Sequence, residues 1–311
     1  MKTARLSACA RAFACLTARS FRIFLRDRAG VFFSLLAPLI ILMLYFLFLG
    51  EVQFDSAAAA LEGVPYDEKT LEAFVNGWMI AGVVSVSCIT VSFSVQSVMI
   101  ADREKGTLSD VLVTPAPRPL ITAAYFAGNF IVTFFIVLLV LAVSMIFLAA
   151  TGWYLTAADV FASVGLTALS VLSAAMLSTL VCLPMRTSGV HSAVTGILSA
   201  AIGFLMGAYM PVSVFPPAVR YIVLFVPGTY SSCVFRNIFC GGALTALCED
   251  YPPAAETALR EAFTLDMDFF GADIGAGGAL LIFAVTILIV AAAAAAVVGA
   301  RILLRRHGKT A

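Results

Sequence analysis

The chain has 311 residues, 62% of them hydrophobic and only 12% charged, with a mean hydropathy of +1.03 and a formal net charge of +1. Soluble domains carry about 25% charged residues, so a soluble globular fold is excluded for want of polar surface to cover it. The solvent of most of this chain is lipid.

Residues 1–28 read as a basic amphipathic helix. At about 100° per residue, Arg11, Arg19, Arg22 and Arg26 fall on one stripe, with Leu6, Phe13, Leu16 and Phe24 roughly opposite, the pattern of a helix lying on the inner leaflet. It is not a signal peptide, because the arm is long and patterned and the apolar run behind it is too long for an h-region. Uncharged stretches then run over residues 29–50, 73–101, 119–158, 160–185, 187–219 and 274–300. Each reaches the roughly 20 residues that cross about 30 Å of hydrocarbon as a helix. The fold expected is all-α: a polytopic membrane protein with six transmembrane helices in a domain over residues 29–311.

A further apolar stretch, Tyr221 to Phe235, is too short to cross and is broken by Pro227-Gly228. It reads as an external re-entrant or interfacial hairpin before the last span, within an external segment over residues 211–273. Charge bias agrees. Six spans place every Lys and Arg but Lys69, Arg220, Arg236 and Arg260 on one side, and every acidic residue but Asp27, Asp102, Glu104 and Asp110 on the other. The positive-inside rule makes the basic side, with both termini, cytoplasmic. The other loop on the outer side, residues 51–72, is short and acidic. Arg236 reads as a snorkelling interfacial arginine, with contact to an anion as the alternative. Cys9, Cys15, Cys88 and Cys182 read as small apolar fillers, while Cys233, Cys240 and Cys248 leave a Cys240–Cys248 disulfide open. In the fifth span Gly189, Gly196 and Gly203 recur every seven residues, and Gly203 to Gly207 forms a GxxxG pattern for close packing, within the subunit or between two.

The informative interruption lies at residues 101–118. It reads Asp102-Arg103-Glu104-Lys105-Gly106-Thr107-Leu108, then Val111-Leu112-Val113-Thr114-Pro115 and Arg118. A short helix there would present Leu108, Val111 and Leu112 on one face, and Pro115 and Pro117 would end it. A topological loop accounts for Arg103 and Lys105 but not for apolar residues on the aqueous side. A small apolar face ringed by charge suits docking into a partner's groove. The stretch resembles the cytoplasmic loop after the second span of type-2 ATP-binding-cassette (ABC) transporter permeases, in which Glu104, Gly106, Thr107, Leu108, Val111, Leu112, Pro115 and Arg118 would contact the ATPase.

That resemblance implies several things together. The N-terminal helix would be the connecting helix along the cytoplasmic interface, although a plain topological anchor explains it as well. Pro227, Gly228 and Arg236 would belong to a re-entrant pair at the external end of the pathway. The partners would be ABC ATPase subunits, a second permease subunit, identical or different, and the bilayer of the cell membrane, with no nucleic acid. The chain would bind no cofactor itself, ATP and Mg2+ residing on the ATPase, and would not be an enzyme. Its Gly308-Lys309-Thr310 tail lacks the preceding Gly of a phosphate loop. Ser188 and His191 lack a third orienting group for hydrolysis. The expected cargo is an apolar or amphipathic compound such as a drug, antibiotic or lipid, moved outward, with polysaccharide or glycolipid export as the alternative. An ion-coupled secondary carrier is the rival from another class, and none of the six spans holds the mid-span carboxylate such carriers use.

Overall fold

A computed structural model describes residues 2–61, 64–114, 116–249, 253–269 and 272–307. The chain begins with α1 (Lys2–Arg26) and α2 (Arg28–Leu44), which continues through a π turn (Tyr45–Leu49) into α3 (Gly50–Ala60). There follow α4 (Glu68–Val95), α5 (Ser97–Glu104), α6 (Thr107–Val113), α7 (Arg118–Thr151), α8 (Ala157–Cys182) and α9 (Ser188–Leu205). After α10 (Pro217–Leu224), α11 (Pro227–Cys248) and α12 (Pro253–Ala262), two three-residue strands, β1 (Met267–Phe269) and β2 (Ala272–Ile274), pair antiparallel before α13 (Ala276–His307). Apolar runs become helices because lipid offers no partner for a free backbone amide. Their ends carry ordinary start signals. The Asp67 side chain accepts from the Thr70 amide at 3.0 Å, Thr156 and Asp159 form a reciprocal capping box, and Thr187 caps α9.

The centre of the molecule is α4. It is buried on every face over nearly its whole length, with α2, α7, α8, α9 and α11 packed around it. Apolar burial alone does not hold helices together in lipid, and a polar cluster ties α4 to α7 and α8. Asn129 Nδ2 donates to Ser178 Oγ at 3.0 Å, Ser92 and Ser178 hydroxyls lie 2.8 Å apart, Gln96 Nε2 donates to Thr179 Oγ1 at 2.7 Å, and Thr133 Oγ1 donates to Asn129 Oδ1 at 2.9 Å. The outer helices turn bulky apolar side chains outward, among them Phe33 on α2, Ile197 on α9 and Leu281 on α13.

Several sequence expectations change here. Among the described residues seven helices, not six, are long and apolar enough to cross a membrane, the added one being α11. The apolar stretch is interrupted at Pro227, as expected, but it does not stop at Phe235. Arg236 ends the run only if its charge must reach water, and in the fold it does not. α11 therefore continues to Cys248, packing along one part of α4: a Cβ on Gly228 would lie 2.7 Å from Ile89, and Cys240 Sγ lies 3.6 Å from the Phe74 carbonyl. The first acidic loop is shorter than expected, because helix continues through Gly50, whose amide bonds the Tyr45 carbonyl in the π turn. The GxxxG pattern is not a helix face, since α9 ends at Leu205 and Gly207 lies in the following turn at φ +66°, a conformation for glycine. Cys240 and Cys248 are free thiols on one helix, eight residues and so about 12 Å apart along its axis, too far for a disulfide.

Candidate functional site

The charged island continues the central helix. α5 prolongs α4, Lys105 closes it, and Gly106 adopts a left-handed φ of +79° before α6 begins. Among the described residues nothing lies within 4 Å of where a Gly106 Cβ would be, and its left-handed backbone, not space, demands glycine there.

Three consecutive residues of α5 reach three different places. Asp102 accepts two bonds from Arg19 of α1, at 2.6 and 2.8 Å, and a third from the Tyr125 hydroxyl of α7 at 2.6 Å. Arg103 donates to the carbonyls of Leu183 and Met185, at 2.7 and 3.0 Å, and so caps the end of α8. Glu104 accepts from the Ser188 amide at 3.1 Å and from the Ser188 hydroxyl, which places a carboxylate at the positive end of α9. The bidentate carboxylate raises the Arg19 guanidinium well above its ordinary range, mainly through that hydrogen bond. The loop is thus a hub joining four helices. Charge counting assigns Arg103 to topology and gives Asp102 no role. The available signal is that Asp102 is one of few acidic residues on a basic side.

α6 faces the opposite way from expectation. Leu108, Val111 and Leu112 are half-buried and pack on the chain's own core, because a seven-residue helix beside an apolar bundle buries its apolar face there. What it offers outward is Ser109, Asp110, Thr114 and Val113, the last 86% exposed. Thr107 is half-buried, Arg118 is exposed at the start of α7, and Pro115 lies outside the described residues.

α1 leans on α7 as well as carrying a basic stripe. The Thr17 hydroxyl donates to the Ala124 carbonyl at 3.4 Å, Ser20 meets Gly128, and Phe24 is buried. Arg11, Arg22 and Arg26 stay exposed, whereas Arg19 leaves the stripe for Asp102.

Arg236 is not a snorkelling residue. It is 2% exposed, with its guanidinium 4.8 Å over the Trp78 ring and its N–H groups on the carbonyls of Gly207 and Thr264. Those two carbonyls belong to turns of left-handed backbone, at φ +66° and +52°. His191 bonds the Phe93 carbonyl at 3.0 Å, away from the Ser188 hydroxyl that Glu104 takes. Gly196 lies on an open face of α9, Gly203 meets Tyr209, and the Gly308-Lys309-Thr310 tail lies outside the described residues.

The fold is that of a multi-pass helical membrane protein whose buried central helix ends in a polar hub. The chain belongs to the ABC-2 type transporter family, whose model matches residues 11–240, from α1 to the middle of α11. It is a membrane subunit of an ABC transporter, not itself catalytic, of a family that partners with ABC ATPases. No curated protein and no solved structure matches the chain.

Proposed function

We propose that this chain is the six-span permease of an ABC exporter and moves an apolar or amphipathic compound outward, using ATP bound with Mg2+ and hydrolysed by a separate ATPase subunit. The observation that carries the reading is the Asp102-Arg103-Glu104 hub: a push on α6 reaches α1 and α7, α8 and α9 through contacts of one short helix. Docking falls to the outward side of α6, Val113 with Ser109, Asp110 and Thr114, flanked by Lys105 and Arg118. The inward side, Leu108, Val111 and Leu112, passes the displacement to the bundle.

The six-span reading draws support from depth. Gly228 at the tip of the α10–α11 pair meets Ile89, which is about 22 Å short of Glu104 along the helix at 1.5 Å per residue. A pair that turns there returns to the side it came from, so α11 is the inner arm of a re-entrant hairpin and both termini are cytoplasmic in the cell membrane. A second permease subunit completes the pathway, and the open Gly189–Gly196 face of α9 suits close approach of another helix.

The experiment uses the permease reconstituted with its ATPase in liposomes. Val113→Asp should abolish transport and transport-coupled hydrolysis while leaving the thermal unfolding of the permease within a degree of the parent, because a charge on a docking face must be desolvated without a partner. The permease alone should show no ATP hydrolysis. Parental transport by Val113→Asp, or hydrolysis by the pure chain, would overturn the reading.

A further inference from the structure

α9 is anchored at its two ends. Of its 18 residues, only His191 near the start and Ile202 and Gly203 near the end are buried among the described residues. The Glu104 carboxylate meets its first residue, Ser188. At the other end Arg236 Nη2 donates to the carbonyl of Gly207, two residues past Leu205. A carboxylate at the N-terminus and a guanidinium at the C-terminus are the charges a helix dipole favours, and about 27 Å of helix at 1.5 Å per residue lies between them. A displacement of the charged hub therefore reaches Arg236 through one rod.

Arg236 also has a second grip. Its Nη1 donates to the Thr264 carbonyl at 3.4 Å, in the turn after α12, and the two neighbouring carbonyls are taken as well. Trp78 Nε1 of α4 donates to Phe263 at 2.8 Å, and Asn237 Nδ2 and Cys233 Sγ of α11 donate to Leu265 at 2.6 and 3.1 Å. Beyond Gly207 the chain is tied to the same turn, with the Ser213 amide on Thr264 Oγ1 at 3.2 Å and the Ser213 hydroxyl on the Ala262 carbonyl at 2.9 Å. Two costs are stored here. Thr264 has a φ of +52°, which a β-branched residue adopts only under constraint. Arg236 is buried with its Nε unpartnered and, among the described residues, no carboxylate bonded to it, so its charge is desolvated without neutralisation. Lifting the turn relieves both, by freeing the Thr264 backbone and admitting water to the guanidinium.

We propose that Arg236 is the positioning residue of an external gate: it holds the end of α9 and the 262–265 turn together over α4 and α11, and movement of α9 draws it off the turn, which lifts and opens the outer end of the bundle. The movement is the one assigned above to the hub, so the transport arm of the test rests on that reading, whereas the clamp is a property of the chain alone.

Two native thiols report on the clamp. Cys233 bonds the turn itself, whereas Cys240, one turn past Arg236, faces the Phe74 carbonyl of α4, and both are buried. The purified full-length permease is treated with a small hydrophilic thiol reagent, and modification of each cysteine is read by mass spectrometry. In the parent both should stay unmodified. In Arg236→Met, Cys233 should react and Cys240 should not, and Arg236→Lys, which keeps a donor, should react more slowly than Arg236→Met. Silence of Cys233 in Arg236→Met overturns the gate, as does equal reaction of the two thiols, which marks general loosening. A second measurement needs no variant: in the complex with the ATPase in liposomes, ATP should expose Cys233 of the parental permease and leave Cys240 silent. In the same complex Arg236→Met should still hydrolyse ATP but lose transport. Cys233 unchanged by ATP in a complex that transports, parental transport by Arg236→Met, or loss of hydrolysis together with transport, as for Val113→Asp, each overturns the gate. A parental complex that does not transport contradicts the exporter reading instead, and the clamp is then decided by the labelling of the chain alone.

Discussion

Asp102 is a carboxylate with 10% of its side chain exposed, satisfied by three donors from two helices. Charge-assisted bonds of this kind are about twice as strong as neutral ones. Arg19 keeps a third of its side chain in solvent, so its share is discounted for screening, and the Tyr125 hydroxyl, left buried without an acceptor, dominates the cost of removal. Asp102→Ala should therefore lower the unfolding free energy of the purified chain by about 2–3 kcal/mol, and Asp102→Asn, which retains an acceptor, by about 1–2 kcal/mol. A double-mutant cycle with Arg19→Ala, read from denaturant unfolding, should return a coupling of about 1 kcal/mol. A cycle closing to zero would mean that α1 is held by its packing on α7 alone.

Between elements, α4 approaches α11 closely enough to leave no room for a Cβ. A Cβ on Gly77 would sit 2.7 Å from the Phe239 carbonyl, and that oxygen belongs to a helix backbone, which cannot step aside as a flexible side chain can. Gly77→Ala should accordingly destabilise the chain by about 1–3 kcal/mol through overpacking. Gly165, on α8 with nothing within 4 Å among the described residues, is the control: Gly165→Ala should be neutral or stabilising by up to about 1 kcal/mol, because alanine loses less backbone entropy in a helix. Thermal melts of the two variants side by side check both. α6 allows a related contrast. Leu108 is half-buried against the core, so Leu108→Asp should weaken the permease itself, whereas Val113→Asp should spare the fold and affect only coupling.

For the whole molecule, the separation of charge makes topology the decisive measurement. In a cysteine-free background, single cysteines at Asp55 and Thr257 should react with an impermeant reagent from outside. Cysteines at Arg22 and Lys105 should react only after permeabilisation. All four positions are exposed in the fold, so silence at one of them cannot be blamed on burial. Labelling of Lys105 from outside would reverse the orientation. Opposite labelling of Asp55 and Thr257 would mean an odd number of crossings between them.

The sequence by itself determined the solvent, the helical class and six of the seven helices that, among the described residues, are long and apolar enough to cross a membrane, because long uncharged runs in lipid have one way to satisfy their backbones. It also made the charged island legible as the place where the family resemblance lies. What those charges do was decided only by tertiary structure. Asp102, Arg103 and Glu104 are neighbours in sequence, yet α5 points them toward α1 and α7, α8 and α9, and no periodicity names partners some 80 residues away. The same reason separates Arg236 from its sequence reading: a lone arginine in an apolar run looks bound for water until two distant turns bring carbonyls, and Trp78 a ring, to meet it. Leu108, Val111 and Leu112 show the limit from the other side. Helical spacing put them on one face, but which way that face turned depended on whether the chain's own bundle or a partner stood nearer, and only the packed fold supplies that distance.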